Sequence, residues 1–217
     1  MKQSIQAFTS YVQEKSFPCV GARSAFNSNR VRFGLYEGLG DGFDVKKLCE
    51  DLNQFSLEFP NPKSEPVSFI AMFKQNFKNC YEFEHQMWRH LKAMHEHDAK
   101  SFTWDETVSS NPADVDFSFS IAGRAFFVVG LSPVSPRLAR RAPMICLVFN
   151  FHNQFEIMRE TGQYSKLQKG IRKLDLALQG SINPMLSKFG QNSEARQYSA
   201  LEYPDNWKCP FSAMANS

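Results

Sequence analysis

Two β-rich apolar runs follow one another between residues 117 and 151 with no helical stretch between them, and that order constrains the fold more than anything else in the chain. The first, FSFSIAGRAFFVVGL, reads as a hairpin with its turn near Ala122-Gly123, and the second, MICLVFNF, reads as a further strand. Upstream, Val31, Phe33 and Leu35 alternate with polar neighbours until Gly38, Gly40 and Gly42 break the pattern. VSFIAMFK, after a loop set by Pro60, Pro62 and Pro66, has the composition of a buried strand. Strands in runs, rather than in regular alternation with helices, point to an α+β fold with a mainly antiparallel sheet packed by helices.

The helical segments are separable by period. Residues 4–16 place Ile5, Phe8 and Val12 on one side and end at Phe17-Pro18; residues 44–57 start at Asp44 and carry Val45, Leu48, Leu52 and Phe55. From Tyr81 to about Lys100 the pattern is strongest, with Met87, Trp88, Leu91 and Met94 at helical spacing. Residues 153–160 and 164–178 also read as helices, and the tail around Pro204 and Pro210 as loop or short strand. At 217 residues with 42% hydrophobic content, one domain spanning 1–217 has enough apolar material for a sizeable core.

Several functional classes lose support from the composition. A net charge of +3 with no long basic block argues against nucleic acid. No run approaches the roughly 20 apolar residues of a membrane span, so a soluble, cytoplasmic protein is expected. Neither GxGxxG nor GxxxxGK[ST] occurs, which removes the usual phosphate loops. The five cysteines are scattered without a CxxC pair and fit reduced thiols. The 21 phenylalanines suit ordinary packing or a pocket for a flat apolar cofactor.

Chemistry-bearing residues gather in two places. The exit of the last strand carries Asn150, His152, Asn153, Gln154 and Glu156, shortly after Arg137, Arg140 and Arg141. His152 and Glu156, four apart, share a helix face and would hold a metal or simply satisfy free backbone N–H groups. The arginines suit a carboxylate or haem propionate clamp, or a solvated turn. The second place is the strong helix with His85, His90, His95 and His97. At about 100° per residue, His95 shares a face with Trp88 and Leu91 while His90 and His97 point elsewhere. His95 is then either a hydrogen-bonded core residue or an axial haem ligand, with Asp98 placed to orient its ring. No HExxH is present, and the five-residue histidine steps fit a helical zinc site poorly. Cys19 and Cys209, each beside proline, are buried thiols or candidate thiolates.

The stretch from VVGLSPVSPRLARRAPMICLVFNFHNQFEIMRETGQYSKLQKGIRKLDLALQGSINPML to SEARQYSALEYPDNWKCPF resembles the YqcI/YcgG family, which includes haem-dependent guanidino N-hydroxylases. FPCVGARSAF near the start and MWRHLKAMHEHDAKSFTWD in the middle extend the likeness over nearly the whole chain. The resemblance implies haem b (iron protoporphyrin IX) on His95, with Trp88, Arg137, Arg140 and Arg141 around the cofactor. It also implies a monooxygenase acting on the guanidino group of arginine or an arginine-like amino acid, fed by an external electron donor or peroxide. Glu156, His152 and Asn150 are then the expected catalytic residues, with Gln154, Glu194, Arg196 and Tyr198 as further candidates for the substrate pocket. The partners implied are a small guanidino compound and a redox protein; a homodimer is compatible but not required. The competing expectation is a haem carrier or gas sensor that binds haem without turning over a substrate.

Overall fold

The computed structural model describes residues 1–40, 42–62, 65–185 and 192–213. Its five strands form one sheet in the order β1-β2-β5-β4-β3, where β1 is Val31–Tyr36, β2 Ser68–Phe73, β3 Phe119–Ile121, β4 Arg124–Leu131 and β5 Ile145–Phe151. β1 pairs parallel with β2 and every other pairing is antiparallel, so the α+β expectation holds for a single domain. β2 and β5 sit inside the sheet with helices over both faces. Their sequences, SFIAMF and ICLVFNF, are accordingly almost continuously apolar rather than alternating.

Six α-helices lie among the described residues: α1 Lys2–Gln13, α2 Val20–Asn27, α3 Val45–Glu58, α4 Cys80–Asp98, α5 His152–Glu160 and α6 Gln163–Gln179. Helices α3 and α4 cover one face of the sheet, where Phe69, Phe73, Phe126, Phe149 and Phe151 meet Leu48, Leu52, Phe55, Met87 and Leu91 in the larger core. Helices α1 and α2 cover the other, where Phe8, Val12 and Ala25 meet Ile70, Met72 and Leu131 in a smaller one. The helices sit close to their sequence-based positions, except for α2. Its N-cap is Cys19, whose thiol accepts from Ala22 N at 3.4 Å, so the usual Ser, Thr, Asp or Asn start signal is missing.

Helix α4 is set in phase by its caps. Asn79 Oδ1 accepts from the backbone N–H groups of Tyr81 and Glu82, and Glu82 Oε2 accepts from Lys78 N. Its buried stripe runs through Phe83, Met87, His90, Leu91, Met94 and Asp98. His90 is therefore fully buried, its Nδ1 beside the backbone of Gly40 and its ring edge-on to Phe73. His95, expected on the buried face, is only half-buried at the edge of that stripe.

Asp98 does not orient His95. Both its carboxylate oxygens accept from Ala122 N at 3.0 Å, holding the β3–β4 turn. Ala122 and Gly123 both have positive φ, at 53° and 67°, the conformation of a type I′ hairpin turn. Burial raises the Asp98 carboxyl from 3.8 to about 6, against the lowering effects of the Ala122 bond and of His97. Its raised pKa contributes stability that is full below about 3.8 and is lost as pH rises through about 6. Asp98→Asn keeps an acceptor for Ala122 and removes the titration. Between pH 4 and 7, wild type should lose about 1–2 kcal/mol relative to Asp98→Asn after allowance for solvent screening. Urea unfolding at several pH values reads this directly, and parallel profiles would sink it.

Beyond short β3, the chain near Tyr198 continues the sheet edge. Gly130 N donates to Tyr198 O at 2.7 Å, and a Cβ on Gly130 would stand 2.8 Å from that oxygen. Only glycine admits so close an approach, and it brings the Glu194–Gln197 turn of 3-10 helix beside the end of β5.

Candidate functional site

The sheet face under α1 and α2 is not fully packed. A cavity of about 280 Å³ lies between that face and helices α1, α2, α5 and α6. Its walls are mainly apolar, with Phe8, Phe26, Phe127, Val129, Leu167 and Ile171 among them. Helix α6 explains the space: of its 17 residues only Asp175 is buried, so its apolar side faces the cavity rather than packing onto the sheet.

The polar exit of β5 opens here. The sheet alternation puts Val148 and Asn150 on the cavity side, and α5 starts at His152, which is 7% exposed. His152 Nε2 lies 3.1 Å from Glu156 Oε1, and its Nδ1 lies 3.6 Å from Glu194 Oε2. The second distance is that of an ion pair rather than a hydrogen bond, and Nδ1 is buried without a hydrogen-bond partner. Burial pulls the imidazolium pKa of His152 down, but Glu194 and then Glu156 outweigh it, so the net shift is upward. Glu194 is fixed by Tyr198, whose hydroxyl donates to Oε1 at 2.6 Å, and by Ser118 Oγ at 2.8 Å. An imidazole between two carboxylates, one of them on the cavity wall, can hold or pass a proton and attract a cation.

The amides expected to meet a substrate are occupied. Gln154 accepts from Val67 N at 2.8 Å and donates to Val67 O at 3.2 Å, tying α5 to the start of β2. Asn150 accepts from Ser68 Oγ at 2.6 Å and donates to Phe127 O at 3.3 Å, bridging β2, β5 and β4. Both are wall residues whose hydrogen bonds set the cavity's floor.

The arginines diverge. Arg137 is buried against Asp175 at 2.7 Å and also donates to Ser181. Arg141 donates to Ser135 O and is not among the cavity-lining residues. Arg140 lines the cavity, and its hydrogen bonds go to the backbone carbonyls of Gly130, Gln197 and Tyr198. Burial lowers its guanidinium to about 10, against the raising effects of Tyr11 and Cys19, so it stays charged at neutral pH. A half-buried guanidinium held by neutral carbonyls suits an anionic ligand group.

His95 and Trp88 are not among the cavity-lining residues; both pack with the larger core on the opposite face of the sheet. His95 lies edge-on to Trp104 and Phe211 at 5.3 and 5.8 Å, and burial lowers its pKa. Trp88 stacks on Tyr198 at 5.6 Å. The structure thus brings Asn150, His152, Arg137 and Arg140 to one cavity, with Glu156 behind His152. Glu194 belongs with them through its long-range contact to His152, which sequence spacing does not reveal. Arg196 instead donates to Tyr203 O and Pro204 O. Cys19 lines the cavity, where burial holds its thiol pKa up; Cys209 is shifted up to about 12 for the same reason. Among the described residues no group of three or more His, Cys, Asp or Glu is placed to hold a metal ion.

A family model for YqcI/YcgG matches residues 8–212, nearly the whole fold including every element that lines the cavity. The chain belongs to the YqcI/YcgG family. A YqcI/YcgG relative, the uncharacterized protein YqcI of Bacillus subtilis (strain 168), is 26% identical over 215 residues, covering 94% of this chain and 84% of its own length. No solved structure matches this YqcI/YcgG chain. Among its described residues no helix is long and apolar enough to cross a membrane.

Proposed function

We propose that this chain is a haem-dependent monooxygenase that N-hydroxylates a guanidino compound of the arginine class, with the cavity over β4 and β5 as its reaction chamber. The observation that carries the reading is the pairing of an apolar cavity with His152, the one histidine among its described lining residues, whose buried Nδ1 has Glu194 at ion-pair distance but makes no hydrogen bond. With its ring oriented by Glu156 at 3.1 Å and Nδ1 making no hydrogen bond, His152 would be the residue to hold the haem iron. His152 therefore replaces His95 as the ligand favoured by position. Bound haem would supply the one-electron and oxygen chemistry.

The protein's part is binding and exclusion. Arg140 suits a propionate or a substrate carboxylate, since carbonyls rather than a side-chain carboxylate now hold it. Glu194 attracts a guanidinium toward His152, and the Phe127 and Phe155 walls keep water from the reacting nitrogen.

Haem titration of the two histidine variants tests the assignment. His152→Ala should weaken haem binding by about 100-fold or more and move the Soret band, while His95→Ala should leave both unchanged. The reverse pattern would return the ligand to His95 and the larger core. Turnover of arginine-like compounds by the haem-loaded protein separates an N-hydroxylase from a haem carrier or gas sensor.

A further inference from the structure

A line of oxidisable rings runs from the cavity wall to the protein surface. It begins at Tyr198, whose hydroxyl donates to the cavity-lining Glu194 at 2.6 Å. Trp88 stacks on Tyr198 at 5.6 Å with the ring planes 18° apart, and Trp207 follows at 6.4 Å. Tyr203 closes the line, stacked on Trp207 at 4.2 Å, and both of these last rings are partly exposed. At the outer end the Tyr203 hydroxyl donates to Glu84, which also accepts from Trp88 Nε1 at 3.4 Å.

Ordinary packing does not require this choice of residues. The chain has 21 Phe against 6 Tyr and 3 Trp, so aromatic filling here is overwhelmingly phenylalanine. Two of the three tryptophans nevertheless fall in this one line, and each terminal phenol is bonded to a carboxylate. Phenols and indoles give up one electron far more readily than a phenyl ring. A phenol does so most easily when a base stands ready for its proton.

We infer that Tyr198, Trp88, Trp207 and Tyr203 form a hole-transfer path that carries an oxidising equivalent from the cavity to the surface. It rests on the reading above only for the source of its oxidant, a one-electron oxidant of the kind haem and peroxide generate together. Tyr198 gives one electron to that oxidant and its proton to Glu194. It then takes an electron from Trp88 and recovers the proton. Trp88 is refilled from Trp207, and Trp207 from Tyr203, whose proton passes to Glu84. The net change is one electron lost by Tyr203 and one gained by the oxidant; a thiol or ascorbate-class reductant in solution restores Tyr203 with one electron as its proton returns from Glu84. The path protects the chamber when an oxidant forms there with no substrate bound.

Pulse radiolysis of the haem-free protein tests the path apart from any haem. Azidyl radical oxidises tryptophan, and the indolyl absorption should decay into phenoxyl absorption at a rate independent of protein concentration. Tyr203→Phe, which removes one oxygen from a partly exposed ring, should slow that conversion by about an order of magnitude. Tyr81→Phe, at an exposed tyrosine outside the line, should not change it. Equal rates in Tyr203→Phe and wild type, or a decay that scales with protein concentration, would overturn the path. Because no haem is present, either result stands whatever the haem titration shows.

Discussion

Asp175→Ala should cost about 3–5 kcal/mol of stability, the range for breaking a buried ion pair by deleting one partner. Asp175 Oδ2 receives Arg137 at 2.7 Å and the backbone N–H of Asn183 at 2.8 Å, and both carboxylate and guanidinium are almost wholly buried. Removing the carboxylate leaves a guanidinium charge in the protein interior with only Ser181 to hold it. For a chain of this length the midpoint of thermal unfolding should fall by roughly 10 °C. The double variant Asp175→Ala/Arg137→Met should recover most of the loss, because the stranded charge goes with it. A single variant that unfolds at the wild-type temperature would show that Arg137 finds water or another partner. Since this pair pins α6 and residues 181–183 to the Arg137 segment, the variant also tests what holds the outer wall of the cavity.

Phe151→Ala should be destabilising on a similar scale, about 3–5 kcal/mol, for a different reason. The Phe151 ring is fully buried between Phe55 at 4.9 Å, nearly parallel to it, and Phe126 at 5.0 Å, with the Arg124 guanidinium 4.7 Å from its centroid. Truncation opens a void between rings that belong to α3, β4 and β5 and cannot all close on it. Phe151 is also the residue that leads into α5, so its loss should loosen His152 and weaken any ligand bound there. Phe151→Leu, which keeps most of the volume, should recover more than half of the loss in a denaturant titration. Equal losses for Ala and Leu would mean that ring stacking, rather than volume, carries the stability.

Much of this architecture was legible because local and tertiary preferences agree. The hairpin turn near Ala122-Gly123, the long apolar period of α4 and the unbroken apolar strands β2 and β5 each announce themselves in the chain. The parallel β1–β2 pairing does not, since nothing local in RVRFGLY states which strand lies beside it. Helix α2 escapes because a thiol does the work of a hydroxyl or carboxylate cap.

The site was half legible. The polar window after β5 marks the cavity, yet periodicity cannot tell a wall amide such as Gln154, spent on Val67, from a group left free. The phase of α4 misleads for a similar reason. Its buried stripe is set by contacts with Phe73 and Gly40 as much as by its own apolar residues, and these draw His90 inward and leave His95 at the margin. Glu194 could be paired with His152 only in three dimensions.

The placement of β2 has a consequence for how the sheet comes together. Ser68 pairs with Val31 on one side and with Asn150 on the other, so neither neighbour of β2 is close to it in the chain. Strands β3 and β4, by contrast, are joined by a two-residue turn and need little loop closure to meet. Loop-closure entropy must therefore be met for the middle of the sheet before its contacts return anything, so assembly is expected to run from the β3–β4 edge inward, with β2 as the seam that joins the two halves of the chain.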